Sequence, residues 1–192
     1  AISTVIAVVL GALSGSAPVW LDNLLMRLTE ILLSVPNLLL VVLIQAILGK
    51  ATVWSISLVI GLTSWTSIAK VVRTEVRQLR GSEYILAAKC MGGSFFYILR
   101  RHLAPNFLSS IMFMVVMNVR SAMIAESTLS FLGLGIQPPT PEWGSMLSSA
   151  RQFIRQYWHM TTFPGLAIMI TIFALNVLGD GLRDALDPRM KN

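Results

Sequence analysis

The chain has 192 residues, of which 55% are hydrophobic and only 12% are charged, against about 25% charged residues in a typical soluble domain. This composition, with a mean hydropathy of +0.71, excludes the water-soluble classes of protein, and the single cysteine, Cys90, excludes a disulfide framework or a cysteine-based zinc cluster. The net charge of +6 is explained by the positive-inside rule in so apolar a chain, so we expect no nucleic-acid partner.

Five apolar segments are long enough, or nearly so, for the roughly 20 residues that cross a bilayer. They cover about residues 1–17, 24–48, 52–72, 107–129 and 160–178. The first begins without an initiating methionine, so we expect a chain truncated at its N-terminus, and its Gly11 and Gly15 fit a pattern of close helix packing. Pro36 should kink the second segment, because proline removes a backbone hydrogen bond. The sequence predicts an all-α membrane protein with about five spans.

The distribution of basic residues predicts the orientation of the chain. Eleven of the 15 Lys and Arg residues fall at Arg27, within 70–106 or in the C-terminal tail. The opposite side carries Lys50, Arg151 and Arg155. Because positively charged loops face the cytoplasm, we expect residues 70–106 and the tail to be cytoplasmic and residues 130–159 to lie outside. The predicted division is a transmembrane domain, 1–179, and a cytoplasmic tail, 180–192.

Residues 82–105 predict a helix–turn–helix hairpin on the cytoplasmic face. Ser82 and Ser94 are suitable N-cap residues for the two helices. Gly92 can end the first helix in the left-handed conformation, which residues with a Cβ atom avoid. Pro105 is expected to end the second helix before the next span. The helices themselves are expected over 83–91 and 95–103.

Ala87 and Ala88 lie side by side in this hairpin and have two interpretations. Alanine is a strong helix former, and the pair needs no further explanation on that ground. Alternatively, two small side chains on a short helix form a low surface that enters a groove on another protein. Larger side chains there would hold the two backbones apart.

The hairpin resembles the EAA loop of the membrane subunits of ABC importers. The matching residues are Leu86-Ala87-Ala88, Gly92 and His102-Leu103-Ala104-Pro105-Asn106, with Leu86 in place of the usual Glu and Ala104 in place of a common Leu. Further segments resemble the C-type permeases of the oligopeptide/dipeptide/nickel importers, so that the resemblance covers almost the whole chain. These segments are 126–135, 137–144, 163–167 and 176–188.

The resemblance implies a type I ABC importer transmembrane domain, with six spans in complete family members, in a bacterial or archaeal inner membrane. It implies that the hairpin is the coupling helix that docks on an ATPase, through Glu83, Leu86, Ala87, Ala88, Gly92, His102 and Pro105. The implied partners are a second, B-type permease, two cytoplasmic ABC ATPase subunits, an external solute-binding protein and the lipid bilayer. The transported solute, a di- or oligopeptide, nickel or another small solute, stays open.

The sequence predicts a transporter subunit rather than an enzyme, with no cofactor. The Gly-rich segment 131–135 lacks the Gly-Lys-Ser/Thr ending of a phosphate loop, so ATP hydrolysis is assigned to the partner subunits. A membrane-embedded enzyme would need a catalytic set of side chains that no motif supports. A passive channel or scaffold would not require the hairpin. His102 and His159 are isolated from one another, and neither predicts a metal site.

Arg120 and Glu126 are the only charges deep inside a predicted span. Burying a charge in a membrane is costly, so such residues are candidates for function. Because they are six residues apart, they differ by about 240° around a helix and do not pair with each other. Either each has a partner on the second permease subunit, or they line the translocation path.

Overall fold

The computed structural model describes residues 1–186, without the side chains of 106, 108–110 and 186. Every regular element in that range is helical, as predicted. The helices are α1 Ile2–Ser16, α2 Val19–Ser34, α3 Asn37–Leu48, α4 Val53–Thr63, α5 Thr66–Leu79, α6 Glu83–Cys90, α7 Phe95–Ile98, α8 Ala104–Phe131, α9 Trp143–Ala150 and α10 His159–Leu186, with a π-helical turn at Leu99–Leu103 and a 3₁₀ turn at Arg151–Phe153. Asp187 and Pro188 of the predicted tail lie outside the described residues.

The five predicted spans are all helical, but only two are single helices of spanning length within the described chain. These are Ile111–Phe131 in α8 and His159–Ala185 in α10. The second and third predicted spans are bent pairs, α2–α3 at 85° and α4–α5 at 42°, and α1 is a shorter apolar helix. The described residues therefore supply two spans, or up to four if each bent pair crosses the membrane once.

The two bent pairs have different causes. Pro36 is the N-cap residue of α3 and has no N–H to donate, so the predicted kink is confirmed, and at 85° it is close to a right angle. The break between α4 and α5 was not predicted, because Ser64 and Trp65 are neither glycine nor proline. There, the Asn118 side-chain amide donates a hydrogen bond to the Ser64 carbonyl over 3.2 Å. Asn118 thus satisfies a backbone group that the break exposes at membrane depth.

Two glycines let α1 pack directly against α5. A Cβ atom at Gly11 would lie 2.6 Å from the Ala69 carbonyl oxygen, and one at Gly15 would lie 2.8 Å from the Val76 Cβ. The predicted packing pattern is therefore confirmed, because only glycine allows this approach. The same apolar core continues from α5 into the hairpin and the start of α8. Its buried members there are Val76, Ile85, Ala88, Ile98, Leu103, Phe107 and Ile111.

The prediction that Pro105 ends the second hairpin helix is wrong. The helical backbone continues from α7 through the π-helical turn into α8, and the Ala104 N–H donates to the Leu99 carbonyl five residues back. A proline ring in the middle of an α-helix would clash with the carbonyl four residues before it. Here the wider π turn comes just before Pro105, which lies in the first turn of α8, where proline is tolerated.

The connection between α8 and α10 contains the short helix α9. Gly144 of α9 packs against the backbone of Ser127 in α8, where a Cβ atom would clash with the carbonyl. At the other end, α10 continues through Gly179 to Leu186. The expected division at residue 179 therefore falls inside a continuous helix.

Candidate functional site

The turn of the hairpin is built as the sequence predicts. The Gly92 N–H donates to the Lys89 carbonyl over 2.9 Å, and the Gly93 N–H donates to the Ala88 carbonyl over 3.0 Å. Gly92 has φ of +81°, the left-handed conformation. These are the bonds of a Schellman motif, which ends α6 and reverses the chain.

The two predicted N-caps behave differently. The Ser94 hydroxyl accepts a hydrogen bond from the Tyr97 N–H over 3.3 Å and caps α7. Ser82 occupies the N-cap position of α6, but its hydroxyl donates to the Leu79 carbonyl over 2.6 Å instead. Ser82 therefore fastens the hairpin to the end of α5 rather than to its own helix.

His102 joins the two arms of the hairpin. Its ring centroid lies 6.2 Å from that of Tyr84 in α6 and 5.7 Å from that of Tyr97 in α7. Aromatic pairs at this separation are mutually stabilising. The imidazole thus lies between the two arms and helps to keep them at a constant angle.

Ala87 and Ala88 lie on different faces of α6, one exposed and one buried. Ala88 is only 3% exposed and packs within the chain's own core, three residues along α6 from the buried Ile85. The expectation that Ala88 faces a partner groove is wrong, because residues three apart share a helix face and this face points inward. Ala87 is exposed, as is Glu83. With Leu86, Met91 (81% exposed) and Phe96 (74% exposed), Ala87 forms an apolar surface that we call the outer face of the hairpin.

Arg120 and Glu126 point to different neighbours, as their spacing on α8 predicts. Arg120 donates a hydrogen bond to the Asn176 side-chain oxygen of α10 over 2.9 Å. Its Nε atom is buried without a hydrogen-bond partner in the described part of the chain. Arg120 lines none of the three clefts described below and instead bridges α8 and α10.

Glu126 lies where two clefts meet, with volumes of about 510 and 370 Å³. It accepts a hydrogen bond from the Ser130 hydroxyl over 2.8 Å. The same hydroxyl contacts the Glu142 carboxyl group, which brings a second acidic residue from the start of α9 to this end of α8. Of the two charges predicted inside a span, Glu126 is the one that lines these clefts.

A third cleft, of about 390 Å³, opens beside both helix breaks and is lined by Pro36, Asn37, Ser64 and Asn118 among others. The Asn37 amide donates to the Ser64 hydroxyl over 3.4 Å, so the two breaks are in contact. This cleft shares Ser64 and Asn118 with the 510 Å³ cleft. Polar groups therefore line consecutive clefts along α8. Sequence reasoning missed Asn37, Ser64 and Asn118, and only Pro36 signalled the site.

A buried ion network involving Asp22 was also missed. Asp22 is fully buried at the start of α2, in a stretch that the sequence places between two spans. The Arg73 guanidinium contacts both carboxylate oxygens at 2.5 and 2.6 Å, and the Arg77 guanidinium contacts one at 2.7 Å. The Ser14 hydroxyl donates over 2.5 Å. The only sequence signal was the i, i+4 spacing of two arginines, which places both on one face of α5.

Residues 7–192 match the family described as the binding-protein-dependent transport system inner membrane component. The chain belongs to this family. Because the match covers nearly the whole chain, the helices and the hairpin together form the transmembrane domain of a type I ABC importer. The family resemblance seen in the sequence is thereby confirmed.

Named relatives within the family are transport permeases. The di/tripeptide transport system permease protein DppC of Pseudomonas aeruginosa (strain UCBPP-PA14) is 38% identical over 191 residues, 100% of this chain and 63% of the relative. The glutathione transport system permease protein GsiD of Pectobacterium atrosepticum is 39% identical with the same coverage. The protein of that name from Shigella flexneri serotype 5b is 41% identical over 172 residues, 90% of this chain and 56% of the relative. The chain thus spans less than two thirds of these relatives.

Proposed function

We propose that the chain is the core of a permease subunit in an ATP-driven, binding-protein-dependent importer of di- or oligopeptides, forming half of the translocation pathway. The observation that carries this proposal is the hairpin, which joins α5 to α8 and presents an apolar outer face. Relatives named for di/tripeptide and glutathione transport favour a small peptide over nickel as the solute.

The outer face of the hairpin supports docking on the ATPase subunits. Leu86, Met91 and Phe96 are exposed there beside Ala87, on a segment whose flanking residues are strongly basic. A cluster of exposed apolar side chains outside the membrane marks a protein contact. In the proposed assembly the ATPases bind this face, a B-type permease packs beside the spans, and an external binding protein delivers the solute.

The three clefts support a solute path along α8. Non-helical backbone at membrane depth is tolerated where it is buried in protein or lines a wet cavity. The breaks at Pro36 and Ser64 both border the 390 Å³ cleft. In this proposal Asn118 and Glu126 line the path, whereas Arg120 holds α8 against α10.

Reconstitution in liposomes tests the function. The full-length subunit, its B-type partner, the ATPases and the binding protein should together take up a labelled dipeptide only when ATP is present. Uptake without ATP would favour a passive channel instead. Failure of the ATPases to bind the permease pair would favour a scaffold.

Glu126→Gln is expected to reduce peptide uptake severalfold while leaving assembly intact, because it removes the charge that borders both the 510 and the 370 Å³ clefts. Arg120→Gln should instead weaken assembly, because it removes the side-chain link from α8 to Asn176. Glu30→Gln, on the exposed surface of α2, is the matched control for loss of a carboxylate. Uptake assays and size-exclusion chromatography measure both effects. Normal uptake by Glu126→Gln complexes would remove Glu126 from the path.

Thiol labelling tests the proposed orientation. The native Cys90 is exposed on the hairpin, and Thr140 is exposed between α8 and α9. An impermeant maleimide added outside intact cells should label Thr140→Cys in a Cys90→Ser background and should not label Cys90. Opening the cells should make Cys90 reactive. The reverse pattern would invert the topology.

A further inference from the structure

We propose that Asp22 is a positioning residue that transmits displacement of the hairpin into α2, and through α2 into the wall of the cleft at the helix breaks. The inference rests on the proposed function, because it assigns the route by which ATPase movement reaches the solute path. Its basis is the buried network of Asp22 with Arg73, Arg77 and Ser14.

The arginines of this network lie close to the hairpin. Helix α5 ends at Leu79, and α6 begins at Glu83 after three intervening residues. Ser82 is bonded back to Leu79, and Arg80 of the turn donates to the Gly15 carbonyl of α1 over 3.3 Å. A displacement of the hairpin therefore moves the end of α5, with Arg77, directly.

Asp22 is the principal link from that end of α5 to α2. Only two residues of α2 are buried, Asp22 and Thr29, and the Thr29 hydroxyl bonds the Met26 carbonyl of its own helix. Farther along α2, Leu28 and Leu32 line an apolar cleft of about 340 Å³ together with Trp65 of the α4–α5 break, and Leu32 also packs against the core. The cleft leaves apolar packing there incomplete, so in this proposal the buried carboxylate of Asp22 carries most of the mechanical coupling between α5 and α2.

The far end of α2 reaches the solute path. Ser34 ends the helix, about 18 Å from Asp22 at 1.5 Å per residue. The next two residues, Val35 and Pro36, line the 390 Å³ cleft. Asn37 then contacts Ser64 at the second break. A movement of α2 at Asp22 would therefore also move Asn37 and Ser64, where the two bent pairs are in contact beside the 390 Å³ cleft.

Charge makes this link stiff. One carboxylate accepts three guanidinium contacts and one hydroxyl contact, all at 2.5–2.7 Å. Hydrogen bonds between ionised groups are about twice as strong as neutral ones. Asparagine at position 22 keeps the shape of the side chain but removes its charge and one acceptor oxygen, so it should loosen the link without opening a cavity.

The test uses the complete importer carrying Asp22→Asn, with Glu30→Gln on the same helix as the control. Glu30 is exposed, and its ion pair is with Arg27 within α2. We expect assembled Asp22→Asn complexes to hydrolyse ATP but to move about tenfold less peptide per ATP, since a charged network is lost. A role in stability alone would lower the yield of complexes and leave the peptide moved per ATP unchanged.

A second, milder variant keeps the test decisive if Asp22→Asn prevents folding. Arg77→Gln removes one guanidinium and leaves the ion pair of Arg73 with Asp22 in place. Its complexes should therefore assemble, and the peptide moved per ATP should fall less than in Asp22→Asn. If assembled Asp22→Asn complexes move as much peptide per ATP as the wild type, the inference is overturned. It is also overturned if neither variant assembles, because the network would then be a requirement for folding. If the unaltered importer shows no ATP-dependent uptake, the proposed function fails, independently of Asp22.

Discussion

With valine in place of Gly92, the assembled importer is expected to move at least about tenfold less peptide per ATP, because the hairpin turn can no longer keep its left-handed backbone. No atom lies within 4 Å of the position that a Cβ would occupy, so the effect comes from the backbone conformation alone. That conformation costs residues other than glycine roughly 1–2 kcal/mol, and a β-branched side chain is still less suited to it. The hairpin would relax, and α7 would leave its angle to α6.

Two further variants identify the backbone as the cause. Gly92→Asn should retain most coupling, because asparagine tolerates the left-handed region better than other residues. Gly81→Ala, at the start of the hairpin, also meets no atom within 4 Å and has no left-handed φ, so it should behave like the wild type. ATPase binding, ATP hydrolysis and peptide uptake are measured on purified complexes. Wild-type coupling in the valine variant would mean that this hairpin is not the coupling element.

Leucine substitutions at the two neighbouring alanines are expected to fail in different ways. Ala88→Leu overpacks the core around Ile85 and Ile98, at a cost of about 1–3 kcal/mol, and should lower the melting temperature of the permease by itself. Ala87→Leu adds bulk to the exposed outer face, so it should leave that melting temperature nearly unchanged. It should instead weaken ATPase binding by holding the two surfaces apart.

Melting curves of the isolated permease pair and titrations with the ATPase separate these effects. Lys89→Ala, also exposed on α6 and outside the set of residues implied in docking, controls for a change of side chain on this helix without added volume. If Ala87→Leu binds the ATPase as tightly as the wild type, the outer face is not the docking surface. If Ala88→Leu melts normally, the inward orientation of Ala88 is wrong.

Local signals in the sequence were enough to predict the hairpin turn and the close packing at Gly11 and Gly15 of α1. Gly92 and Ser94 act on their own backbone neighbours, so their effects do not depend on the rest of the fold. Gly11 and Gly15 leave room for whichever helix packs there. The kink at Pro36 follows in the same way from one residue's chemistry.

Features set by distant contacts were not predictable from local patterns. Asp22 meets Arg73 across 51 residues of sequence, and no short motif encodes that pairing. The break at Ser64 depends on an amide from Asn118 in another helix. The side of α6 that is buried depends on how the hairpin docks, which is why the direction of Ala88 was predicted wrongly. Pro105 was misjudged because a π turn precedes it.

Because the hairpin continues into α8 through the π-helical turn, a small tilt of α8 at the hairpin becomes a larger displacement at the far end of the helix. The 23 residues from Ala104 to Glu126 form one uninterrupted helix, and at a rise of 1.5 Å per residue its two ends are about 33 Å apart. A rigid rod of that length, tilted by about 10° at its base, carries its far end sideways by about 6 Å. Glu126 sits near that end, beside two clefts. A tilt of that size would thus change the width of the clefts beside Glu126 by more than the diameter of a water molecule.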